Sequence, residues 1–143
     1  MRTFLAIIVG IVVALIVQSA GDAVASLLYP TGMTNMWNRA QVAEALANRP
    51  AAALWITVAG YLLGGLLGGA AGKAISRVPA AAWTPAILLA VMAAIIGWSF
   101  PTNAWASIAN VAGALIGAML ANHLVMTRAP APVEEEVPAG ADL

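Results

Sequence analysis

The sequence predicts an all-α fold: an integral membrane bundle of four transmembrane helices, with a short amphipathic helix between the first and the second. Hydrophobic residues make up 62% of the chain and charged residues only 8%, whereas a soluble domain carries roughly 25% charged residues. A surface so poor in charge must be covered largely by lipid. The chain also contains four apolar stretches, each close to or above the roughly 20 residues that cross a bilayer.

The composition also limits the cofactors and partners. The chain has no cysteine, which excludes disulfides, iron–sulfur clusters and thiolate zinc sites, and we predict no cofactor. Its formal net charge of zero argues against a nucleic-acid partner. The predicted partners are the lipid bilayer and either a second copy of the chain or another membrane protein.

The first span is predicted over residues 4–28. Its start resembles a secretory signal peptide, because Arg2 precedes an apolar run. A cleavage site after Ala20 would place Gln18 where a small residue is needed, and so we favour an uncleaved helix. Residues 29–32 (Tyr-Pro-Thr-Gly) have turn chemistry and end the span.

The only sizeable loop, residues 33–52, is predicted to contain the short helix. This helix is expected over residues 36–47, with Thr34 or Asn35 as its N-cap. Its apolar residues share one side, so it is expected to lie at the membrane surface or across the mouth of the bundle. Pro50 suits the start of the next span.

The second span, residues 53–77, carries glycine at every fourth position from Gly60 to Gly72, with a second row beside the first. In water each such glycine costs about 1 kcal/mol relative to alanine, but in lipid the helix persists because its backbone must bond internally. The rows then let other helices approach closely. The predicted helix-packing residues, which include two from the fourth span, are Gly60, Gly64, Gly65, Gly68, Gly69, Gly72, Gly113 and Gly117. Lys73 and Arg77 are expected to extend to the lipid headgroups.

The third and fourth spans follow with short connections. Trp83 is expected at the interface, Pro85 in the first turn of a third span that ends near Ser99, and the fourth span over residues 104–126. Residues 1–128 therefore form the predicted transmembrane domain. Residues 129–143 are acidic and proline-rich, which is typical of a disordered tail.

The basic residues predict the orientation. Four spans put both termini on one side, and the more numerous basic residues fall on that side, so both termini are predicted to be cytoplasmic. The basic residues on the terminal side are Arg2, Lys73, Arg77 and Arg128, and those on the other side are Arg39 and Arg49. An aromatic belt is expected at the outer interface from Trp37, Trp55, Trp98 and Trp105.

Polar residues within the spans cluster in the predicted outer half. Gln18, Asp22 and Asn110 form the possible polar or ion site of a small outer vestibule. An acidic residue inside a span is by default a candidate for function, and Asp22 could carry a proton. The competing interpretation is structural: Asp22 lies near the interface and could hydrogen-bond to Asn110 or Ser107.

Other features carry little chemistry. His123 has no cysteine or acidic residue beside it, and so it predicts no metal site. Gly72-Lys73 does not complete a phosphate-binding loop, because Leu67 and Ala74 occupy positions that the motif reserves for other residues. No nucleophile–base pair is visible, and we predict that the chain is not an enzyme.

The chain resembles a diffuse set of small bacterial four-helix inner-membrane proteins of unassigned function. The resemblance covers residues 1–126 and rests on Asp22 followed by Leu-Tyr-Pro at 28–30, and on Tyr-Leu-Leu-Gly-Gly-Leu-Leu-Gly-Gly at 61–69. It implies a multi-pass protein of the bacterial inner membrane. The histidines that often lie near the Tyr-Pro and before the fourth span in that set are missing here, where only Phe100-Pro101 remains.

Two functions follow as hypotheses. The first is a non-enzymatic accessory or structural subunit that packs through its glycine and alanine faces against itself or a larger membrane complex. The alternative is a small oligomeric channel or transporter with a polar outer vestibule around Asp22.

Overall fold

The computed structural model describes residues 1–32, 37–100 and 103–125, and these form five α-helices. They are α1 (Arg2–Leu28), α2 (Arg39–Ala47), α3 (Ala51–Ser76), α4 (Ala80–Ser99) and α5 (Ala104–Leu124). All but α2 are long and apolar enough to cross a membrane. The predicted fold, with four spans and a short helix between the first two, is confirmed. The predicted tail and Arg128 lie outside the described residues.

The four long helices alternate in direction and give the bundle two different ends. One, the α2 end, holds α2, the last residues of α1 and α4 and the first residues of α3 and α5. The other, the N-terminal end, holds the start of α1 and α4 and the end of α3 and α5. α3 lies in the centre, where it contacts α1, α4 and α5.

Glycine makes α3 the central helix. A Cβ atom added to Gly68 would lie 2.6 Å from both the Ala14 Cβ and the Gly10 carbonyl oxygen of α1. On a different side of α3, a Cβ on Gly65 would collide with the Ala114 carbonyl of α5. Such contacts bring helix backbones together, which is how small residues hold membrane helices in van der Waals contact.

The third span begins earlier than the sequence predicts. α4 starts at Ala80, so Pro85 lies inside the helix rather than in its first turn. Proline has no N–H, and so the Ala81 carbonyl lacks its usual donor within the helix. This carbonyl lies against Gly72, where any side chain would collide with it. Close packing on α3 therefore accommodates the interrupted turn.

The start of α2 also differs from the prediction. The N-cap is Asn38, whose Oδ1 accepts from the backbone N–H of Ala40 at 3.1 Å. Thr34 and Asn35, the predicted caps, lie outside the described residues. Asn38 belongs to a residue type that caps helices well, and the helix begins directly after it.

Lys73 does not extend to the headgroups as predicted. Its residue surface is only 5% exposed, and its Nζ donates to the backbone carbonyl of Asn122. The last carbonyls of a helix lack partners within it and form the negative end of its dipole, which attracts a buried ammonium group. Arg2 acts similarly on α3, since its Nε donates to the Ile75 carbonyl at 3.1 Å. Arg77 is exposed and ends α3 in a left-handed conformation.

Candidate functional site

A cavity of about 250 Å³ opens at the α2 end of the bundle. All five helices contribute to its wall, which is apolar where Val42, Leu54 and Ile96 form it. Its polar lining residues are Asp22, Ser26, Thr31, Arg49, Thr57, Tyr61, Ser107 and Asn110. A concave site with an apolar wall and a few polar groups has the usual composition of a small-molecule pocket.

The helices carry three polar side chains to the same depth. Asp22 lies before the end of α1, and Thr57 and Asn110 lie after the starts of α3 and α5. Each is roughly six residues, or about 9 Å, from the helix terminus at this end. Tyr61 lies one turn deeper on α3 and is buried. The cavity thus reaches from the membrane interface toward the hydrocarbon core.

Asp22 is the centre of the polar network. Its Oδ1 accepts from the Thr57 hydroxyl at 3.1 Å, and its Oδ2 accepts from the Gln18 side-chain amide. Arg49 approaches the same carboxylate, with its NH1 3.9 Å from Oδ1, and its NH2 donates to the Ser26 hydroxyl at 3.4 Å. The carboxylate is therefore held by hydrogen bonds from α1 and α3 and by the opposite charge of Arg49 between α2 and α3.

Arg49 is the site residue that the sequence interpretation missed. It was counted only as a basic residue of the outer side, yet its side chain is 10% exposed, against 39% for Asp22. The sequence contains one usable signal: Arg49 directly precedes Pro50 and the second span, so it lies at the membrane interface toward which the first span runs after Asp22. A long arginine side chain can reach from there to a residue about two turns deeper. A charge inside a membrane protein usually pairs with another.

Two buried atoms at the cavity have no hydrogen-bond partner among the described residues. They are the Arg49 Nε, a donor, and the Asn110 Oδ1, an acceptor. Buried polar atoms are nearly always bonded, and both residues line the cavity. A molecule bound at the cavity would be a hydrogen-bond partner for this donor and this acceptor.

The structure brings the predicted polar residues together unevenly. Gln18 and Asp22 bond directly, although Gln18 is not part of the cavity wall. Asn110 faces the same cavity from α5, across from Asp22. Among the described residues the Asp22 carboxylate bonds to Thr57 and Gln18. The predicted bond from Asp22 to Asn110 is not formed there, and the predicted bond to Ser107 stays a prediction.

α2 lies across the mouth of the bundle. Its half-buried residues Val42, Ala45 and Leu46 form part of the cavity wall. The Arg39 guanidinium also sits 5.8 Å from the centre of the Phe100 ring at the end of α4, a distance at which a cation and an aromatic ring attract. Of the two predicted positions for this helix, the structure has the one over the mouth.

Aromatic residues surround this end. The rings of Trp55 and Trp105 lie 5.3 Å apart with their planes tilted by 42°. Trp37 and Trp98 are almost fully exposed at the same end. Tryptophan prefers the interface between lipid and water, and so these residues mark the membrane level of the cavity mouth.

Beyond Tyr61, toward the N-terminal end, small residues pack the bundle. A Cβ on Gly64 would lie 2.9 Å from the Ala14 carbonyl, and one on Gly69 would lie 2.8 Å from the Ala82 carbonyl. The predicted helix-packing glycines all contact other helices of this same chain: Gly60, Gly64, Gly65, Gly68, Gly69, Gly72, Gly113 and Gly117. They are thus turned away from the lipid-facing surface.

The N-terminal end offers less chemistry. His123 is exposed in the last turn of α5. The Asn122 Oδ1 is buried without a partner among the described residues, beside the backbone carbonyl that Lys73 holds. Within residues 1–32, 37–100 and 103–125, no group of histidine and acidic side chains is arranged to hold a metal ion.

Comparisons with known proteins do not identify the chain. No protein-family model matches it, and no curated protein and no solved structure matches it significantly. The resemblance to small four-helix inner-membrane proteins therefore stays a prediction. The four membrane-spanning candidates do establish the broader class, a multi-pass membrane protein.

Proposed function

We propose that this chain is a non-enzymatic protein of the bacterial inner membrane that binds a small molecule in the cavity at the α2 end. The observation that carries the proposal is a pair of buried atoms without a partner among the described residues, the Arg49 Nε and the Asn110 Oδ1, on residues that line a cavity of about 250 Å³. A volume of this size equals that of about eight water molecules in the liquid. It holds a small solute or the polar part of a larger molecule.

The charges of the cavity favour a ligand without net charge. Asp22 and Arg49 lie against each other, so their opposite charges largely cancel within the site. A ligand with a net charge would pair with one of them and leave the other without its partner in a partly buried site, which is costly. A neutral or zwitterionic ligand keeps the balance. The same pairing supports binding rather than catalysis, since the carboxylate already has its partners.

The proposal retains the polar vestibule of the channel or transporter hypothesis but not a path across the membrane. On the N-terminal side of Tyr61 the helices close on glycine and alanine, so this conformation supports a binding pocket that is open at one end. The accessory-subunit hypothesis depended on glycine and alanine faces, and the predicted glycines contact helices of the same chain. It becomes the alternative outcome of the test.

The test is native mass spectrometry after gentle extraction from the membrane. The wild-type chain is expected to carry a bound small molecule. Ala45→Phe, which fills the cavity from α2, should remove this mass, whereas Ala47→Phe on the exposed end of the same helix should keep it. If the chain is released without a bound small molecule, as a subunit of a larger complex at a fixed ratio, the proposal is overturned in favour of an accessory subunit.

We also propose that the α2 end faces away from the cytoplasm. Basic residues favour the cytoplasmic side, and Arg2, Lys73 and Arg77 are all at the N-terminal end. Because the chain has no cysteine, single cysteines report the side directly. Ala47→Cys should react with a membrane-impermeant thiol reagent added to intact cells, and Ala74→Cys should react only after lysis. The reverse labelling pattern would show that the α2 end faces the cytoplasm, and it would leave the proposal for the cavity unchanged.

A further inference from the structure

A second hollow lies on the lipid-facing surface between α4 and α5. This groove, of about 410 Å³, is lined by Ala94, Ser107, Ile108, Val111, Ala112 and Leu115. Apart from Ser107 all of these residues are apolar, and Ile108 is 69% exposed. In a membrane, lipid chains can enter such a groove from the surrounding hydrocarbon layer.

The groove begins where the cavity ends. Ser107 lines both. On each side of it, one residue faces the cavity and the next faces the groove: Ala93 and Ala94 on α4, Asn110 and Val111 on α5. Ala93, Ala94 and Ser107 are small, so the cavity and the groove come close to each other along this boundary between α4 and α5.

The polar cavity and the apolar groove together match a lipid, which has a polar headgroup and an apolar chain. The cavity holds the charged pair near the membrane interface, and the groove runs from Ser107 to Leu115, about 12 Å along α5 toward the bilayer centre. An amphiphile with its headgroup in the cavity and a chain in the groove would stand in the same direction as the lipids of the adjacent leaflet.

We infer that the ligand of the proposed binding site is a zwitterionic phospholipid of the phosphoethanolamine type, with its headgroup in the cavity and one acyl chain in the α4–α5 groove. The inference rests on the proposed function. Arginine binds phosphate through up to two parallel hydrogen bonds, and the Arg49 Nε, which has no partner among the described residues, is the donor that we assign to a phosphate oxygen. The Asp22 carboxylate supplies the negative charge for the ammonium group. A headgroup with both charges matches both residues.

The experiment uses the full chain in detergent with phosphatidylethanolamine or phosphatidylglycerol as the added probe, and native mass spectrometry counts the lipid retained. The wild-type chain should prefer phosphatidylethanolamine about tenfold, the ratio that one charge-assisted hydrogen bond provides. Ala94→Phe, which fills the groove, should lower the retention of phosphatidylethanolamine. Ala20→Phe, a matched change on the exposed face of α1, should not.

Arg49→Gln provides a second variant that leaves the groove intact. It should lower phosphatidylethanolamine retention about tenfold, and circular dichroism confirms that each variant is folded. Equal retention of the two lipids by the wild-type chain would overturn the lipid inference. If a small molecule is lost with Ala45→Phe but kept with Ala94→Phe, the ligand is not a lipid, and the proposed function still stands.

Discussion

The two ends of the bundle each bury a basic side chain, and they use it differently. At the N-terminal end the Lys73 ammonium is bound to the backbone carbonyl that ends α5. At the α2 end the Arg49 guanidinium contacts Asp22 and Ser26, and its Nε has no partner in the part of the chain that the structure describes. Lysine is a compact point charge, whereas arginine presents five donors in a planar fork. Lys73 bonds to a carbonyl in the last turn of a helix, whereas Arg49 retains a donor without a partner among the described residues.

The space around the two residues differs in the same way. Near Lys73, Gly69 and Gly72 bring the α4 backbone against α3, and no side chain fits between them. Near Arg49 the wall consists of Val42, Ala45 and other side chains that stand apart. The comparison indicates a division between the two ends: the close α3–α4 backbone contacts lie at the N-terminal end, whereas side chains form the cavity wall at the α2 end.

The largest expected effect is on the backbone contacts. A Cβ on Gly117 would collide with the Leu62 carbonyl, whereas a Cβ on Gly113, one turn away on α5, would lie 3.3 Å from the Val58 carbonyl. Gly117→Ala should therefore destabilise the bundle by about 1–3 kcal/mol, as overpacking does, and Gly113→Ala much less. Unfolding in mixed micelles measures both. Equal losses would mean that close backbone contact is not what holds α5.

The charged pair at the cavity is expected to have the next largest effect. Removing one member of a fully buried pair costs about 3–5 kcal/mol, but the Asp22 side chain is 39% exposed, so about 1–2 kcal/mol is expected after screening by water. Asp22→Asn and Arg49→Gln should each show this loss, and the double variant should lose less than their sum. Strict additivity in this cycle would show that the two charges are not coupled.

The smallest effect is expected at the N-terminal end. Lys73→Met keeps the length and apolar stem of the side chain but removes the donor to the Asn122 carbonyl. A hydrogen bond from a charged group contributes about 1.5–3 kcal/mol, but the variant also removes the cost of burying the ammonium charge. Thermal unfolding should therefore report a net loss of about 1 kcal/mol. Phosphatidylethanolamine retention should stay at the wild-type level, since Lys73 is not in the cavity. If Lys73→Met lost phosphatidylethanolamine and kept its stability, Lys73 would act on the cavity, which would contradict separate roles for the two ends.

Much of the fold was predictable from the sequence because hydropathy and length decide it. Residues 53–77 and 104–126 were predicted as spans, and the helices observed there are Ala51–Ser76 and Ala104–Leu124. The boundaries that were wrong involve local competition. Pro85 suits a first helical turn, but close packing against Gly72 lets the helix extend beyond it toward the N-terminus.

The site was less predictable because it depends on which side each helix turns to its neighbours. Asp22 and Asn110 could be selected by residue type and depth alone. That Arg49 reaches Asp22, and that Lys73 turns inward to Asn122, depends on the rotation of α3 relative to α1 and α5. The glycine rows allow close approach on several sides of α3. Their spacing does not tell whether the partner is the same chain or another.

The most direct test of this division is a pair of single cysteines on α5, in a chain that otherwise has none. Asn110 and Ala118 each lie roughly six residues, or about 9 Å, from their own end of the helix, but Asn110 lines the cavity and Ala118 is 0% exposed. With the protein in lipid nanodiscs, a small water-soluble thiol reagent reaches both ends. Asn110→Cys should be modified readily and Ala118→Cys hardly at all. Equal modification of the two would contradict a bundle that is open at the α2 end and closed at the other.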